Sequence, residues 1–180
     1  MKKVYPIESR CINCHLCEVA CIIEHSESKT AMGAYHVEGL RFNLLDGGDI
    51  TDPAVALVEG LPRPLNRTLV EQTTDGSVSI STNCRHCEAP DCVFACKNGS
   101  LYVDDEGRVR LQEDKCVGCW MCVMACRYGA IGRNATTQNV PGVKHNGINH
   151  HCDLCPERDQ PACVWVCPTK ALVFEERGRA

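Results

Sequence analysis

The residues with most chemistry in this chain are its cysteines, sixteen in 180 positions. They fall into four groups of four: Cys11, Cys14, Cys17 and Cys21; Cys84, Cys87, Cys92 and Cys96; Cys116, Cys119, Cys122 and Cys126; Cys152, Cys155, Cys163 and Cys167. The first and third groups both read C-x2-C-x2-C-x3-C; the second widens its middle gap to four residues and the fourth to seven, while the outer spacings stay the same. Three cysteines in one loop, two residues apart, can place three thiolates on three irons of a single cubane, with the loop N–H groups aimed at the sulfurs. The fourth is expected at the start of a helix pointing away, where it ligates a second cluster, so the groups should work in pairs. A wider middle gap only lengthens a loop, at a slowly growing entropy cost. The expectation is four [4Fe-4S] clusters held by all sixteen cysteines and used for electron transfer.

Other uses of cysteine fit less well. A structural zinc site pairs two CxxC elements across a dozen or more residues, whereas here four cysteines crowd into eleven positions twice over. A cysteine-rich zinc module for assembly or interaction is the alternative reading, and iron content separates the two. A disulfide framework belongs to oxidising compartments, and Met1–Pro6 carries neither an apolar leader nor a twin-arginine pair. Radical chemistry would need a third cysteine after a C-x3-C pair, but positions 24, 99, 129 and 170 are Glu24, Gly99, Gly129 and Lys170. No phosphate loop, nucleophile triad or His/carboxylate set is visible, so no catalytic residue is expected. His15, His86, His150 and His151 flank cluster cysteines and are expected to pack or to donate to sulfur, since sixteen thiolates already complete four cubanes. Trp120 and Trp165 are read as apolar shields.

Composition bounds the rest. Aromatic residues make up 5% of the chain, too few for a large core, so the metal sites must carry much of the folding free energy. The formal net charge of −4 counts every cysteine as neutral, and there is no basic stripe, so no nucleic-acid partner is expected. No run approaches the roughly 18 apolar residues of a membrane span, and the expected location is cytoplasmic.

The repeat runs past the ligands. Gly99-Ser100-Leu101, Gly129-Ala130-Ile131 and Lys170-Ala171-Leu172 follow the last cysteines of groups two, three and four at one offset. A helical turn should end there and a strand begin, with a hairpin from Leu101–Val103 to Val109–Leu111 and a last strand at Leu172–Phe174. The first group differs, because Cys21–His25 reads as a helix that continues. Residues 27–83 lack cysteine; β-like runs lie at Val55–Val58, Thr68–Glu71 and Val78–Ser81, with turns at Gly47-Gly48 and Asp75-Gly76. Leu61-Pro62-Arg63-Pro64 reads as a surface turn. The segment is read equally as a cover for a cluster or as a docking surface.

With these groups in view, the chain resembles the four-cluster iron–sulfur subunits of the dimethyl sulfoxide reductase iron–sulfur family. The resemblance rests on Cys84-Arg-His-Cys87-Glu-Ala-Pro-Asp-Cys92, on Cys116 through Ala130, and on Cys152-Asp-Leu-Cys155-Pro with Cys167-Pro168-Thr169. The start, Cys11–Cys21 followed by Glu24-His25-Ser26, looks most like the electron-transfer subunit of carbon monoxide dehydrogenase. The resemblance implies a fold of class α+β. Two interlocked bacterial-ferredoxin-like halves would form one loop-rich unit over 1–180: 1–26 with 144–180 as the outer half, 84–143 as the inner half, and 27–83 as an inserted β-like segment. It also implies crossed ligation. Cys11, Cys14 and Cys17 would share a cluster with Cys167, and Cys152, Cys155 and Cys163 one with Cys21. Cys84, Cys87 and Cys92 would share with Cys126, and Cys116, Cys119 and Cys122 with Cys96. The implied partners are redox enzymes, with carbon monoxide dehydrogenase first and hydrogenase, formate dehydrogenase and aldehyde oxidoreductase after it. The chain departs from the pattern where a proline often follows a group's fourth cysteine: only Pro168 is present, with Lys97 and Arg127 at the equivalent places. A basic residue there would favour the reduced, more negative cluster.

Overall fold

The computed structural model describes residues 1–34, 67–132 and 151–177. The run at Val55–Val58, the turn at Gly47-Gly48, the Leu61–Pro64 stretch and His150 lie outside them. The described chain is a small, loop-rich mixture of helices and strands that includes three two-stranded antiparallel sheets and several short helices.

The two ends of the chain meet. Strand β1 (Lys3–Pro6) pairs antiparallel with β6 (Leu172–Glu175), so that Val4 faces Phe174 and Pro6 faces Leu172. Pro6 stands at the end of its strand, where its missing N–H costs nothing to the ladder. Helix α1 (Leu16–His25) packs against α4 (Ala162–Val166) on the same side of the molecule. In the middle of the chain, α2 (Asp91–Phe94) packs on α3 (Met121–Ala125), and β4 (Leu101–Val103) pairs with β5 (Val109–Leu111). The hairpin expected between them is present. Its turn is closed by Asp104, whose carboxylate accepts from the N–H groups of Glu106 and Arg108, and by Gly107 at φ +81°, a conformation that favours glycine.

One expectation is corrected. The fourth cysteine of a group does not begin a helix. The helix lies between the third and fourth cysteines, with Cys92, Cys122 and Cys163 in its first turn and Cys96, Cys126 and Cys167 at or just past its end. Three intervening residues are one helical turn, so this C-x3-C spacing is the turn itself. The first group is the exception foreseen in the sequence: α1 runs ten residues, through Cys21 to His25.

Within 27–83, β2 (Thr68–Gln72) and β3 (Ser79–Asn83) form a hairpin around Asp75-Gly76, in line with the two β-like runs. It lies against α1, β1 and the short 3₁₀ turn Glu8–Arg10. The buried face of β3 is unusual for a core strand, because it consists of Ser79, Ser81 and Asn83.

The apolar interior is thin and shared between aliphatic side chains and cysteines. One cluster joins Val4, Leu154, Val164 and Leu172 with Cys17, Cys84, Cys152 and Cys163; a second joins Leu101, Val109 and Ile131 with Cys122. Folding therefore gathers the thiols into the same space that an ordinary domain fills with leucine and valine. No helix among the described residues is long and apolar enough to cross a membrane.

Candidate functional site

The four cysteine loops share one backbone device. Two residues after the first cysteine of each group the chain enters the left-handed region: Asn13 (φ +56°), His86 (φ +41°), Gly118 (φ +66°) and Leu154 (φ +64°). Alternating right- and left-handed residues turn successive N–H groups to one side, which makes a concave site for negative charge. Only Gly118 is a glycine, so the other three hold a conformation that costs of order 1 kcal/mol or more and persists because the surrounding structure constrains the loop. The 3₁₀ turns Glu8–Arg10 and Glu113–Lys115 lead into Cys11 and Cys116 with nearly the same dihedrals, φ −75° in both. The first and third loops are thus the same structure.

All sixteen cysteines are free thiols, and Cys119 is the one that is exposed. Their neighbours come from distant parts of the chain. Burial pushes the Cys21 thiol well above its ordinary value, and Cys152 and Cys155 add to the shift by repulsion. Cys163 is raised by burial and by Cys152, Cys21, Cys155 and Cys17. Cys84 is raised by burial, with Cys152, Cys92 and Cys126 contributing. Cys122 is pushed up to about 11 by burial, with Cys116 and Cys96 beside it. Cys17 and Cys152 are pushed up to about 12, in both cases chiefly by burial. Thiolates massed together away from water are unfavourable unless a cation compensates them. Iron does that, and binding it drives the protons off.

Donors to sulfur fall into two kinds. After Cys96 and Cys167 they are local. Leu101 N–H and the Ser100 hydroxyl reach Cys96 Sγ at 3.4 and 3.0 Å; Ala171 N–H and the Thr169 hydroxyl reach Cys167 Sγ at 3.2 and 3.8 Å. Burial raises both thiols, but these hydrogen bonds outweigh it and both end below their ordinary value. For Cys17 and Cys21 there are donors from the β2–β3 region, while His25 Nδ1, held at 2.7 Å by the Cys21 carbonyl, also lies 3.7 Å from Cys21 Sγ. Ser81 Oγ lies 3.7 Å from Cys17 Sγ, and Arg67 N–H donates to Cys21 Sγ at 3.2 Å. Arg67 also ties this region to the fourth group, with its guanidinium 2.6 Å from the Asp153 carboxylate, which His25 contacts at 3.2 Å. Burial opposes the charge on Asp153, yet His25 and Arg67 hold its carboxyl well below the usual range. Sequence reasoning missed Arg67, Ser81 and Asp153, because no spacing rule links them to a cysteine.

The histidines behave in different ways. His86 is fully buried; its Nδ1 accepts from Val109 N–H at 3.0 Å, which puts the proton on Nε2, and Nε2 has no partner among the described residues. His151 is buried with its Nε2 likewise unpartnered, and the two rings meet edge to face at 6.1 Å. Burial pushes them down to about 3 and about 4, so both are neutral. His15 instead faces Glu18 at 3.1 Å. Trp165 does not shield anything by burial, being 70% exposed with Arg158 over its ring; the helix α4 turns its other face, Ala162, Cys163 and Val164, inward. Arg127 is engaged by Asp91 at 3.1 Å, which offsets the charge expected to act on a cluster. Soft thiolates in sets, loops that aim N–H groups at them and orphaned buried polar atoms beside Cys84, Cys87 and Cys152 together fit an iron–sulfur cofactor. His25, Asp153 and Cys155 also converge, with ligand atoms within 4.8 Å of one another, but the Asp153 carboxylate is already paired with Arg67.

Comparison with known proteins agrees with this geometry. The 4Fe-4S dicluster domain family matches residues 77–177, which include the second, third and fourth groups. An "Iron-sulfur protein" of Rhodospirillum rubrum is 33% identical over 176 residues, covering 94% of this chain and 79% of that protein. "Electron transport protein HydN" of Escherichia coli K12 is 31% identical over 180 residues, covering 95% and 86%. "Thiosulfate reductase electron transfer subunit PhsB" of Salmonella typhi is 27% identical, covering 93% and 71%. On the match over more than half its length and on these relatives, the chain belongs to the 4Fe-4S dicluster family of iron–sulfur electron-transfer proteins.

Proposed function

We propose that the chain relays single electrons between a catalytic redox enzyme and a second redox protein through four [4Fe-4S] clusters, without a substrate site of its own. All sixteen cysteines are the ligands, in the crossed arrangement: Cys11, Cys14, Cys17 with Cys167; Cys152, Cys155, Cys163 with Cys21; Cys84, Cys87, Cys92 with Cys126; Cys116, Cys119, Cys122 with Cys96. The observation that carries this reading is the setting of Cys21, which is beside Cys152 and Cys155 although some 130 residues separate them. The neighbours of Cys84 and Cys122 supply the same kind of support, Cys126 in the one case and Cys96 in the other.

Each bound cluster would take up and release one electron with little change in geometry. The chain's own part is to hold the thiolates, to aim N–H and O–H donors at them, and to keep water from the buried ligands. The outer half is 1–26 with 144–180 and the inner half 84–143, with 27–83 inserted between them. The packing of α1 on α4 and the β1–β6 pairing support the outer half, and the contact of α2 with α3 supports the inner.

The partner enzyme is of the carbon monoxide dehydrogenase type first, with hydrogenase, formate dehydrogenase and aldehyde oxidoreductase as further members of the class, and the encounter takes place in the cytoplasm. Its support is the likeness at Cys11–Cys21 and Glu24–Ser26, together with relatives whose names mark them as electron-transfer proteins. Anaerobically prepared protein should contain about sixteen iron and sixteen acid-labile sulfide per chain, four of each per cluster. Zinc at comparable stoichiometry would favour the zinc-module reading. Reduction of the holoprotein by carbon monoxide dehydrogenase and carbon monoxide, at a rate that saturates with carrier, tests the partner.

A further inference from the structure

Among the described residues the hairpin β2–β3 differs from β4–β5 in its buried side: β4–β5 buries Leu101 and Val109, whereas β3 buries Ser79, Ser81 and Asn83, polar where a covering element would ordinarily be apolar. Ser81, 4% exposed, places its hydroxyl on Cys17 Sγ. Asn83, 1% exposed and adjacent to Cys84, has neither amide atom partnered among the described residues. Arg67, at the start of the hairpin, gives its N–H to Cys21 Sγ. The strand is locked in place by Glu18, whose carboxylate accepts from Val70 N–H at 2.5 Å, and by Gln72, which accepts from Asn13 at 3.0 Å.

The place where these donors act is informative. Cys96 and Cys167 take N–H donors from residues four or five positions downstream, because the chain reverses at Gly99 (φ +64°) and Lys170 (φ +52°). In the first repeat Glu24 stands at that offset inside α1, so the backbone N–H groups after Cys21 are spent within the helix and cannot turn back to the sulfur. Arg67 N–H, 46 residues away in sequence, occupies the missing donor's role.

We infer that the β2–β3 hairpin is a potential-setting element: through Ser81 Oγ–H to Cys17 and Arg67 N–H to Cys21 it raises the reduction potential of the two clusters those thiolates hold, with Arg67 N–H standing in for the local backbone donor that the long α1 removed from Cys21. The inference rests on the ligand assignment proposed above. A thiolate sulfur carries no proton, so in the loaded protein Ser81 is the donor. A donor to sulfur favours the more negative, reduced cluster, so its removal lowers the potential. Ser81 and Arg67 are positioning residues that act through the ligands Cys17 and Cys21.

The test is an EPR-monitored redox titration of the holoprotein. Ser81→Ala should keep its full iron and shift one cluster to a more negative potential, by about tenfold in the reduction equilibrium, which is about 59 mV for a one-electron couple; Ser81→Thr should restore it. Arg67→Pro removes the N–H and should shift a different cluster further than Arg67→Ala, which removes only the guanidinium. Fully loaded variants with unchanged potentials overturn the proposal, as does a Ser81→Ala shift that Ser81→Thr does not reverse. If Arg67→Pro fails to load, Ser81→Ala and Ser81→Thr decide alone. The ligand assignment fails separately: Cys17→Ser and Cys21→Ser that keep every cluster, with wild-type spectra, would remove it whatever the hairpin variants do.

Discussion

In the middle of the molecule, α2 and α3 stop after four or five residues, the chain doubles back through Gly99 and Gly129, and the donors to Cys96 come from the next few residues. At the terminal end, α1 continues a full turn past Cys21 and ends in a knot of long-range contacts: His25 on Asp153, Arg67 on Asp153, Glu24 on Arg158 at 2.9 Å. The middle part is built from local sequence, the terminal part from segments that meet only on folding. Their interiors differ in the same way. The middle core is led by Leu101, Val109 and Ile131, whereas four of the nine residues in the terminal core are cysteines. A repeat can lose its local turn if another segment supplies what the turn supplied, but the replacement then depends on tertiary structure and, on the ligand assignment proposed above, on the metal.

The largest expected effect tests that dependence. Stripping iron with a chelator under reducing conditions should abolish cooperative unfolding of the whole chain, followed by circular dichroism, because neither core is large enough to fold alone; an apoprotein that melts as sharply as the holoprotein would break the argument. Next come single ligand losses. Cys21→Ser and Cys152→Ser should each lower iron from about sixteen to about twelve per chain and abolish the same EPR signal, while Cys96→Ser abolishes another. Loss of one shared signal in Cys21→Ser and Cys11→Ser would instead break the crossed pairing.

Smaller effects separate the two interiors. Leu101→Ala, at 2% exposure in the middle core, should cost about 2–5 kcal/mol in denaturant unfolding of the holoprotein. Val4→Ala in the terminal core removes two methyl groups and should cost about 2 kcal/mol, with iron content unchanged in both. The smallest effect is at Asp104. Burial raises its carboxyl, but N–H and guanidinium donors from Arg108 outweigh this and hold it below its ordinary value. The lowered folded pKa means that its stabilisation is present above the ordinary carboxylate pKa of about 3.9 and is lost as pH falls below it. Asp104→Asn should therefore cost no more than about 1 kcal/mol at pH 7, equally at pH 6, and salt should shrink the difference.

Much of this was legible beforehand. The expected hairpin at Leu101–Leu111, the final strand, the continuing helix after Cys21 and the strands flanking Asp75-Gly76 are all local patterns of turn residues and alternation, and all appear. The position of the fourth cysteine was misread because C-x3-C specifies one helical turn without saying on which side of the cysteine the helix lies. The left-handed residue in each loop was invisible except at Gly118, since Asn13, His86 and Leu154 are held there by their surroundings and not by their own preference. The shielding role read for Trp165 failed for a related reason: its place inside a motif does not say which face of α4 it occupies.

What the sequence determined by itself is the cofactor chemistry, because thiolate number and spacing along a short loop are set by covalent geometry and survive any arrangement of the rest. What only the tertiary structure decided is which segments share a site. Arg67 beside Cys21 and Asp153, Ser81 over Cys17, and Cys21 next to Cys152 are contacts across 46 to 131 positions. Such contacts follow from the packing of α1 on α4 and of the hairpin on α1, and packing is a property of whole surfaces that no local spacing encodes.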